Sequence, residues 1–111
     1  MNTPLQLPPK TCSIDRLITL EADIQLVLAG RKTATRRNGR YADPGESTAF
    51  HGRRLVVIDV YRQKVGELSD DDAQSEGYES VEAYNQHILR LHPGMPWLPH
   101  MNMWVHDFRL E

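Results

Sequence analysis

The sequence predicts a small α+β domain built on a mixed sheet or a partly open β-barrel with flanking helices. Three observations predict this class. First, the chain has an apolar pattern with helical spacing near its start. Second, strand-like segments lie on either side of a central loop. Third, two helical segments precede a final segment in which apolar and polar residues alternate, as in a strand. A chain of 111 residues is long enough for a single core, which indicates one domain.

The first half of the chain begins with three prolines in residues 1–11, which indicate an irregular N-terminal arm. Four apolar residues then recur at the spacing of one helix face: Leu20, Ile24, Val27 and Leu28. They predict a helix over 20–29, and Gly30 stands where a left-handed helix stop is expected. The threonine-rich residues 33–37 favour a short strand. Residues 38–51 are expected to be mostly loop.

The second half contains the strongest strand pattern, an apolar run over 54–64. Ser69 precedes three aspartates, as an N-cap precedes an acidic first helical turn, and this short helix is expected to stop at Gly77. A second helix is predicted over 80–91, because its apolar residues form a stripe. A loop with three prolines then leads to a closing strand over 103–108.

Composition narrows the class of protein. The chain is 40% apolar and 25% charged, as is usual for a globular domain. No apolar run approaches the roughly 20 residues that span a bilayer, and the first residues do not resemble a signal peptide. Cys12 is the single cysteine, so no internal disulfide can form and a cytoplasmic location is expected. The net charge of −2 argues against indiscriminate binding of nucleic acid.

The charges are unevenly distributed along the chain. Residues 31–54 contain seven Lys/Arg and two acids, a net of +5, whereas residues 67–82 contain seven acids and no Lys/Arg, a net of −7. Such a division can mark a face that binds anions. Two such segments can equally lie side by side and neutralise each other, and the sequence leaves both possibilities open.

Lys32 is the first candidate for chemistry. It follows a predicted helix end, within a run of cations that includes Arg31, Arg36 and Arg37. Nearby cations and burial both favour the neutral form of an amine, and a neutral lysine is a usable base near neutral pH. The alternative is a surface lysine that interacts favourably with a helix C-terminus.

Thr35 and Glu76 are the next candidates. In a regular strand, residues three apart point to opposite faces, so Lys32 and Thr35 can cooperate only if the chain turns between them. A lysine beside a threonine hydroxyl would form a nucleophile–base pair. Glu76 stands at the end of the acidic helix, where the helix dipole disfavours a carboxylate unless a cation compensates, and a carboxyl group there would suit a general acid. Threonines also simply favour strands, and Glu76 is one of seven acids in its segment.

No metal or nucleotide motif accompanies these residues. The five histidines show no metal-ligand spacing, and neither GxxxxGK[ST] nor GxGxxG is present, so no metal or other cofactor is expected. Aromatic and thioether side chains cluster near the C-terminus and are expected to form core or pocket wall, with stacking on a base as the alternative. They are Met95, Trp97, Met101, Met103 and Trp104.

Residues 28–37 resemble the signature of the ASCH (activating signal cointegrator homology) domains, a branch of the PUA-like β-barrels. In that signature a helix ends in glycine, a lysine follows two positions later and an arginine seven positions later. Gly30, Lys32 and Arg37 fill these places. Residues 68–78 resemble the L-x-x-x-x-A-x-x-E-G-[FY] helix of the same family.

The likeness covers about residues 14–111. It implies a PUA-like (ASCH) fold, a mixed and partly open barrel, with the arm at 1–11 and the domain at 12–111. Two segments, 36–54 and 93–102, depart from the shortest amidohydrolases of the family. Both could line the pocket, so the acyl group or base that is accepted could differ.

A small bacterial subgroup of the family, of about this length, hydrolyses N(4)-acetylcytidine to cytidine and acetate. The resemblance carries its catalytic lysine, threonine and glutamate over to Lys32, Thr35 and Glu76. A neutral Lys32 would take the proton of Thr35, whose Oγ would attack the acetyl carbonyl. Glu76 would orient Lys32 or protonate the leaving amine, and Arg37 would stabilise the oxyanion or hold the cytosine carbonyl. The expected substrate-binding residues are Arg37, Thr33 and Arg36.

The resemblance therefore implies an amidohydrolase for N(4)-acylated cytosine nucleosides, with a small nucleoside as its partner and no membrane. A non-catalytic RNA-binding module is the alternative, in which the +5 segment would follow a phosphate backbone. A ribonuclease that uses Lys32 and a nearby histidine is a further alternative. The sequence leaves open the acyl specificity, the oligomeric state, and whether free nucleoside or RNA is the substrate.

Overall fold

The structure, a computed structural model, describes residues 8–94 and 98–111. Three helices and four strands make up the described fold, with short 3-10 turns at Ile14–Arg16 and Val65–Glu67. In chain order the elements are α1 (Glu21–Leu28), β1 (Ala34–Arg37), β2 (Ser47–Phe50), β3 (Arg53–Lys64), α2 (Asp70–Ser75), α3 (Val81–Leu91) and β4 (Asn102–Leu110). Within these residues, none of the helices combines the length and the apolar character that crossing a membrane needs.

The four strands form one open sheet in the order β1-β4-β3-β2. This arrangement confirms the predicted α+β class and the open sheet. Every strand pair among the described residues is antiparallel, whereas the sequence suggested a mixed sheet. Strands β2 and β3 form a hairpin, and β4 runs antiparallel to both β1 and β3. Parallel neighbours would need a crossover connection, and the described strands have none. Strand β1 lies at one edge of the sheet.

A sharp turn joins α1 to β1. Gly30 adopts a φ of 75°, a left-handed conformation that glycine adopts without strain from a side chain. The backbone N–H groups of Arg31 and Lys32 both donate to the carbonyl of Leu26, at 2.9 and 3.2 Å. Lys32 therefore lies in the turn and not in the strand, which begins at Ala34. The chain thus turns between Lys32 and Thr35, as their cooperation requires.

The short helix α2 is held at both ends. Ser69 caps its N-terminus, because the Ser69 hydroxyl accepts from the backbone N–H of Asp72 at 3.2 Å. At its C-terminal end, the carbonyl of Ser75 accepts from the backbone N–H of Thr33 at 2.7 Å. This hydrogen bond fixes the end of α2, where Glu76 is the C-cap residue, beside the turn that carries Lys32.

The core divides into two clusters. The larger one packs α1 and the 3-10 turn at Ile14–Arg16 against the inner face of the sheet, and includes Trp104. The smaller one packs α2 against α3 around Tyr84. The predicted helices and the strands at β1, β3 and β4 are present, but β2 lies inside the segment that was expected to be loop. It forms there by pairing with β3, because hydrogen bonds to a neighbouring strand stabilise a segment whose own sequence favours turns.

Candidate functional site

A cavity of about 700 Å³ opens where β1, the end of α2 and α3 meet. Six of the charged and hydroxyl-bearing side chains that line it come from three segments of the chain: Asp23, Lys32, Thr35, Arg36, Arg37 and Glu76. Aromatic rings form part of the wall: Tyr41, Tyr78, Tyr84 and His87. The remaining wall is largely apolar, and Met101 and Met103 belong to it as expected. Trp104 packs in the larger core cluster, which also agrees with the expectation of core or pocket wall, and Met95 and Trp97 lie outside the described residues.

Lys32 and Glu76 form a buried ion pair at the base of this cavity. Lys32 Nζ lies 2.6 Å from Glu76 Oε1 and 3.2 Å from the Glu76 carbonyl oxygen, and only 3% of each residue is exposed. Asp23 adds a second carboxylate 3.9 Å from the same nitrogen. The sequence predicted a lysine crowded by cations. The structure instead places two carboxylates from other elements beside Lys32, and their negative charges offset the repulsion among the cations.

Arg36 holds the other side of the Glu76 carboxylate. Its NH1 donates to Glu76 Oε2 at 3.2 Å, its NH2 lies 3.3 Å from Asp72 Oδ1, and its Nε donates to Gln63 at 2.9 Å. Two cations therefore compensate the unfavourable helix end at which Glu76 sits. The Arg36 guanidinium, predicted to bind substrate, lines the cavity and directs three of its donors to these protein groups, so it also holds Glu76 in place.

Thr35 is paired with Arg37. The two side chains lie on the same face of β1, and Arg37 NH1 donates to Thr35 Oγ at 3.0 Å. Thr35 is 1% exposed, although it lines the cavity. No hydrogen bond joins Lys32 to Thr35 within the ranges described, so the structure brings these two groups to one cavity without joining them directly.

Thr33 lies apart from the other predicted residues. It is exposed, and it is not among the described residues that line the cavity. Its backbone links the elements of the site, because its N–H bonds to Ser75 and its carbonyl accepts from the N–H of Phe108. Thr33 was expected to bind substrate, and the structure places its side chain away from the cavity.

Three tyrosines line the cavity, Tyr41, Tyr78 and Tyr84, and none was singled out as a site residue from the sequence. Burial raises the pKa of Tyr78 to about 12, and the charges of Asp23 and Glu76 act in the same direction. Burial also raises the pKa of Tyr84. The Tyr78 ring lies 5.5 Å from that of Tyr84 and 5.0 Å from that of His87, between centroids. Tyr78 could have been found, because it is the last residue of the motif that contains Glu76.

His106 is a second feature that the sequence analysis left without a role. It lies on β4 directly opposite Thr35, is completely buried, and accepts the backbone N–H of Tyr41 on Nε2 at 3.0 Å. Its Nδ1 has no hydrogen-bond partner among the described residues. Burial lowers the pKa of His106 to about 4, so the imidazole is neutral at physiological pH. The alternating pattern predicted the strand on which His106 lies but gave no sign of this environment.

The fold matches that of two solved structures. One is an ASCH domain from Lactobacillus crispatus JV V101, with a TM-score of 0.59 and 20% identity over 80% of this chain and 70% of that one. The other is a protein from Enterococcus faecalis V583 of the family DUF984, with a TM-score of 0.58 and 20% identity over 79% of this chain and 66% of that one. No family model matches the sequence, and no curated protein matches it.

At this identity the likeness establishes the fold alone. The chain has the fold of an ASCH domain, as the signature at Gly30, Lys32 and Arg37 implied. The three residues at the signature positions have different places in that fold. Gly30 makes the turn, whereas Lys32 and Arg37 line the cavity.

Proposed function

We propose that this chain is an amidohydrolase that removes the acyl group from N(4)-acetylcytidine or a related N(4)-acylated cytosine nucleoside. The observation that carries the proposal is the meeting of a hydroxyl, an amine and a carboxylate in one cavity. Thr35, Lys32 and Glu76 are each at most 3% exposed, yet all three line it. Buried titratable groups that converge on a cleft are typical of active sites.

The first step of the proposed reaction is attack by Thr35. The Lys32–Glu76 pair starts as ammonium and carboxylate 2.6 Å apart. When substrate excludes water, transfer of one proton from Lys32 Nζ to Glu76 leaves a neutral amine that accepts the proton of Thr35 Oγ. The Oγ–carbon bond then forms at the acyl carbonyl and gives a tetrahedral intermediate.

The second step releases cytidine and restores the enzyme. The intermediate expels the cytosine N4 nitrogen, which takes a proton from the Lys32–Glu76 pair as the carbon–nitrogen bond breaks. Water then hydrolyses the acyl ester of Thr35 and releases a carboxylate. Arg36 keeps Glu76 in place throughout, because its guanidinium is itself held by Asp72.

The cavity suits a nucleoside in size and lining. Its volume of about 700 Å³ lies within the range usual for sites that bind small molecules. Tyr41 and Tyr78 contribute flat rings to the wall, on which a pyrimidine can stack. We place the nucleobase against these rings and the acyl carbonyl toward Thr35. A cytoplasmic location is part of this proposal, since Cys12 is the single cysteine.

The RNA-binding alternative depends on the cations of residues 31–54. Three of them lie in ion pairs: Lys32 with Glu76, Arg36 with Glu76 and Asp72, and Arg40 with Asp43. Lys32 and Arg36 pair with acids of residues 67–82, which supports the interpretation that the two charged segments partly compensate each other, whereas Asp43 belongs to the basic segment itself. A phosphate-tracking surface would keep those cations free. The geometry favours a small substrate.

The decisive experiment follows the ultraviolet spectrum of N(4)-acetylcytidine incubated with the purified chain. We expect conversion to cytidine by the wild type and by Thr35→Ser, which keeps the hydroxyl. We expect no conversion by Thr35→Ala or Lys32→Ala. Lys64→Ala is the matched control, because Lys64 is exposed on β3. Turnover by a folded Thr35→Ala variant, checked by circular dichroism, would exclude Thr35 as the nucleophile.

A further inference from the structure

We propose that Arg37 activates Thr35, by stabilising the negative charge that develops on Thr35 Oγ as the hydroxyl gives up its proton. This inference rests on the proposed function in taking Thr35 as the nucleophile. It differs from the role expected from the sequence, in which Arg37 acts on the substrate. The hydrogen bond from Arg37 NH1 to Thr35 Oγ, at 3.0 Å, is the contact from which it starts.

The Arg37 guanidinium is held rigidly in position for this task. NH1 also donates to the carbonyl of Arg36 at 2.9 Å, and NH2 donates to the carbonyl of Leu17. The guanidinium carbon lies 5.8 Å from the centre of the Tyr41 ring. Contacts within β1 and to two other segments, at Leu17 and Tyr41, fix the group before any substrate binds, and preorganised charge of this kind is the most effective in catalysis.

The charge of Arg37 is also left available. Arg36 is paired with Glu76 and Asp72, and Arg40 is paired with Asp43, whereas no carboxylate in the described part of the chain lies within 4.0 Å of Arg37. Of these three neighbouring arginines, Arg37 alone directs its guanidinium to a hydroxyl in place of an acid. Its positive charge can therefore act on Thr35 Oγ without competition from an ion pair.

The direction of the hydrogen bond matters for the chemistry. A guanidinium has no acceptor, so Thr35 Oγ accepts from Arg37 and the hydroxyl proton must point elsewhere. That proton passes to the Lys32 amine while the electron pair on Oγ forms the new bond to the acyl carbon. Because Thr35 is 1% exposed, water screens the guanidinium charge only weakly. Removing a comparable preorganised donor reduces rates by about 100-fold to 1,000-fold.

The test measures the reactivity of Thr35 with p-nitrophenyl acetate, which does not require the nucleoside. Acetylation of Thr35 is followed by p-nitrophenolate release and located by peptide mass spectrometry. We expect Arg37→Ala to acetylate about 100-fold more slowly. Arg37→Lys is expected to recover part of the rate, and added guanidinium chloride is expected to rescue Arg37→Ala. Arg62→Ala is the matched control, because Arg62 also lies over an aromatic ring but is exposed on the surface.

A pH profile separates activation from a structural role. If Arg37 stabilises the alkoxide, the rate of Arg37→Ala will continue to rise at pH values where the wild type has levelled off. A uniform loss at every pH, without rescue by lysine or guanidinium, would overturn the inference. So would acetylation at the wild-type rate, or the absence of any Thr35 acetylation in the wild type. Arg37-dependent acetylation without hydrolysis of N(4)-acetylcytidine would support the inference and reject the proposed substrate.

Discussion

The buried histidine of β4 is expected to make stability depend on pH. His106 is completely buried in the folded chain, where burial lowers its pKa from 6.5 to about 4. The positive charges of Arg37 and Arg40 act in the same direction. Between those two pKa values the unfolded chain binds more protons than the folded chain, so the free energy of unfolding decreases as pH falls. Above about pH 6.5 the histidine is neutral in both states and adds no pH dependence.

The size of the effect follows from the same values. Each unit of pKa corresponds to about 1.4 kcal/mol, so the wild type should lose about 3 kcal/mol between neutral pH and pH 4 through His106 alone. His106→Gln should lack this loss, because an amide does not titrate. The glutamine oxygen can still accept the backbone N–H of Tyr41 that His106 accepts on Nε2.

Urea unfolding between pH 4 and pH 7.5 measures the difference. Burial raises the pKa of Asp107, but this residue is present in both proteins and its contribution largely cancels. As pH falls, we expect the free energy of unfolding of the wild type to decrease by about 3 kcal/mol relative to that of His106→Gln. His100→Gln, at an exposed position, is the matched control. Parallel pH dependences for wild type and His106→Gln would refute the reasoning.

Three further changes test the charge network and the turn. Glu76→Gln should lower the free energy of unfolding by about 3 kcal/mol in urea, because the buried Lys32 ammonium then keeps only the more distant Asp23 carboxylate, 3.9 Å away. The exposed Glu79→Gln should have little effect. Asp107→Asn should raise stability at pH 7 by up to about 1 kcal/mol, because Asp59 lies directly opposite and burial disfavours the charge; an unchanged melting temperature would contradict this. Gly30→Ala should cost about 1 kcal/mol through the φ of 75°, measured by thermal unfolding, and a neutral result would show that the turn adapts.

Most of the fold could be predicted from local signals. The apolar spacing and the glycine at position 30 predicted α1 and its end, and Ser69 followed by aspartates predicted the start of α2. These signals are readable because they act between residues fewer than about four positions apart. Strand β2 was missed because it is stabilised by pairing with β3, which no local pattern records.

The sequence predicted which residues belong to the candidate site, but not which side chains they contact. Lys32 and Glu76 belong to the two family motifs, Thr35 was carried over from the catalytic threonine of the amidohydrolase subgroup, and all three line the cavity. Arg36 and Arg37 are adjacent in sequence and were given similar roles. Their side chains point to opposite faces of β1, so one fixes a carboxylate and the other contacts a hydroxyl.

The sequence by itself determined the helices, most strands, the turn at Gly30 and the residue types available for chemistry, since each depends on short-range preferences of the chain. Only the tertiary structure decided that Lys32 would meet Glu76, 44 positions away, and that His106 would lie buried opposite Thr35. The ionisation and contacts of such groups depend on desolvation and on charges contributed by distant segments. These exist only once packing has excluded water and brought the segments together.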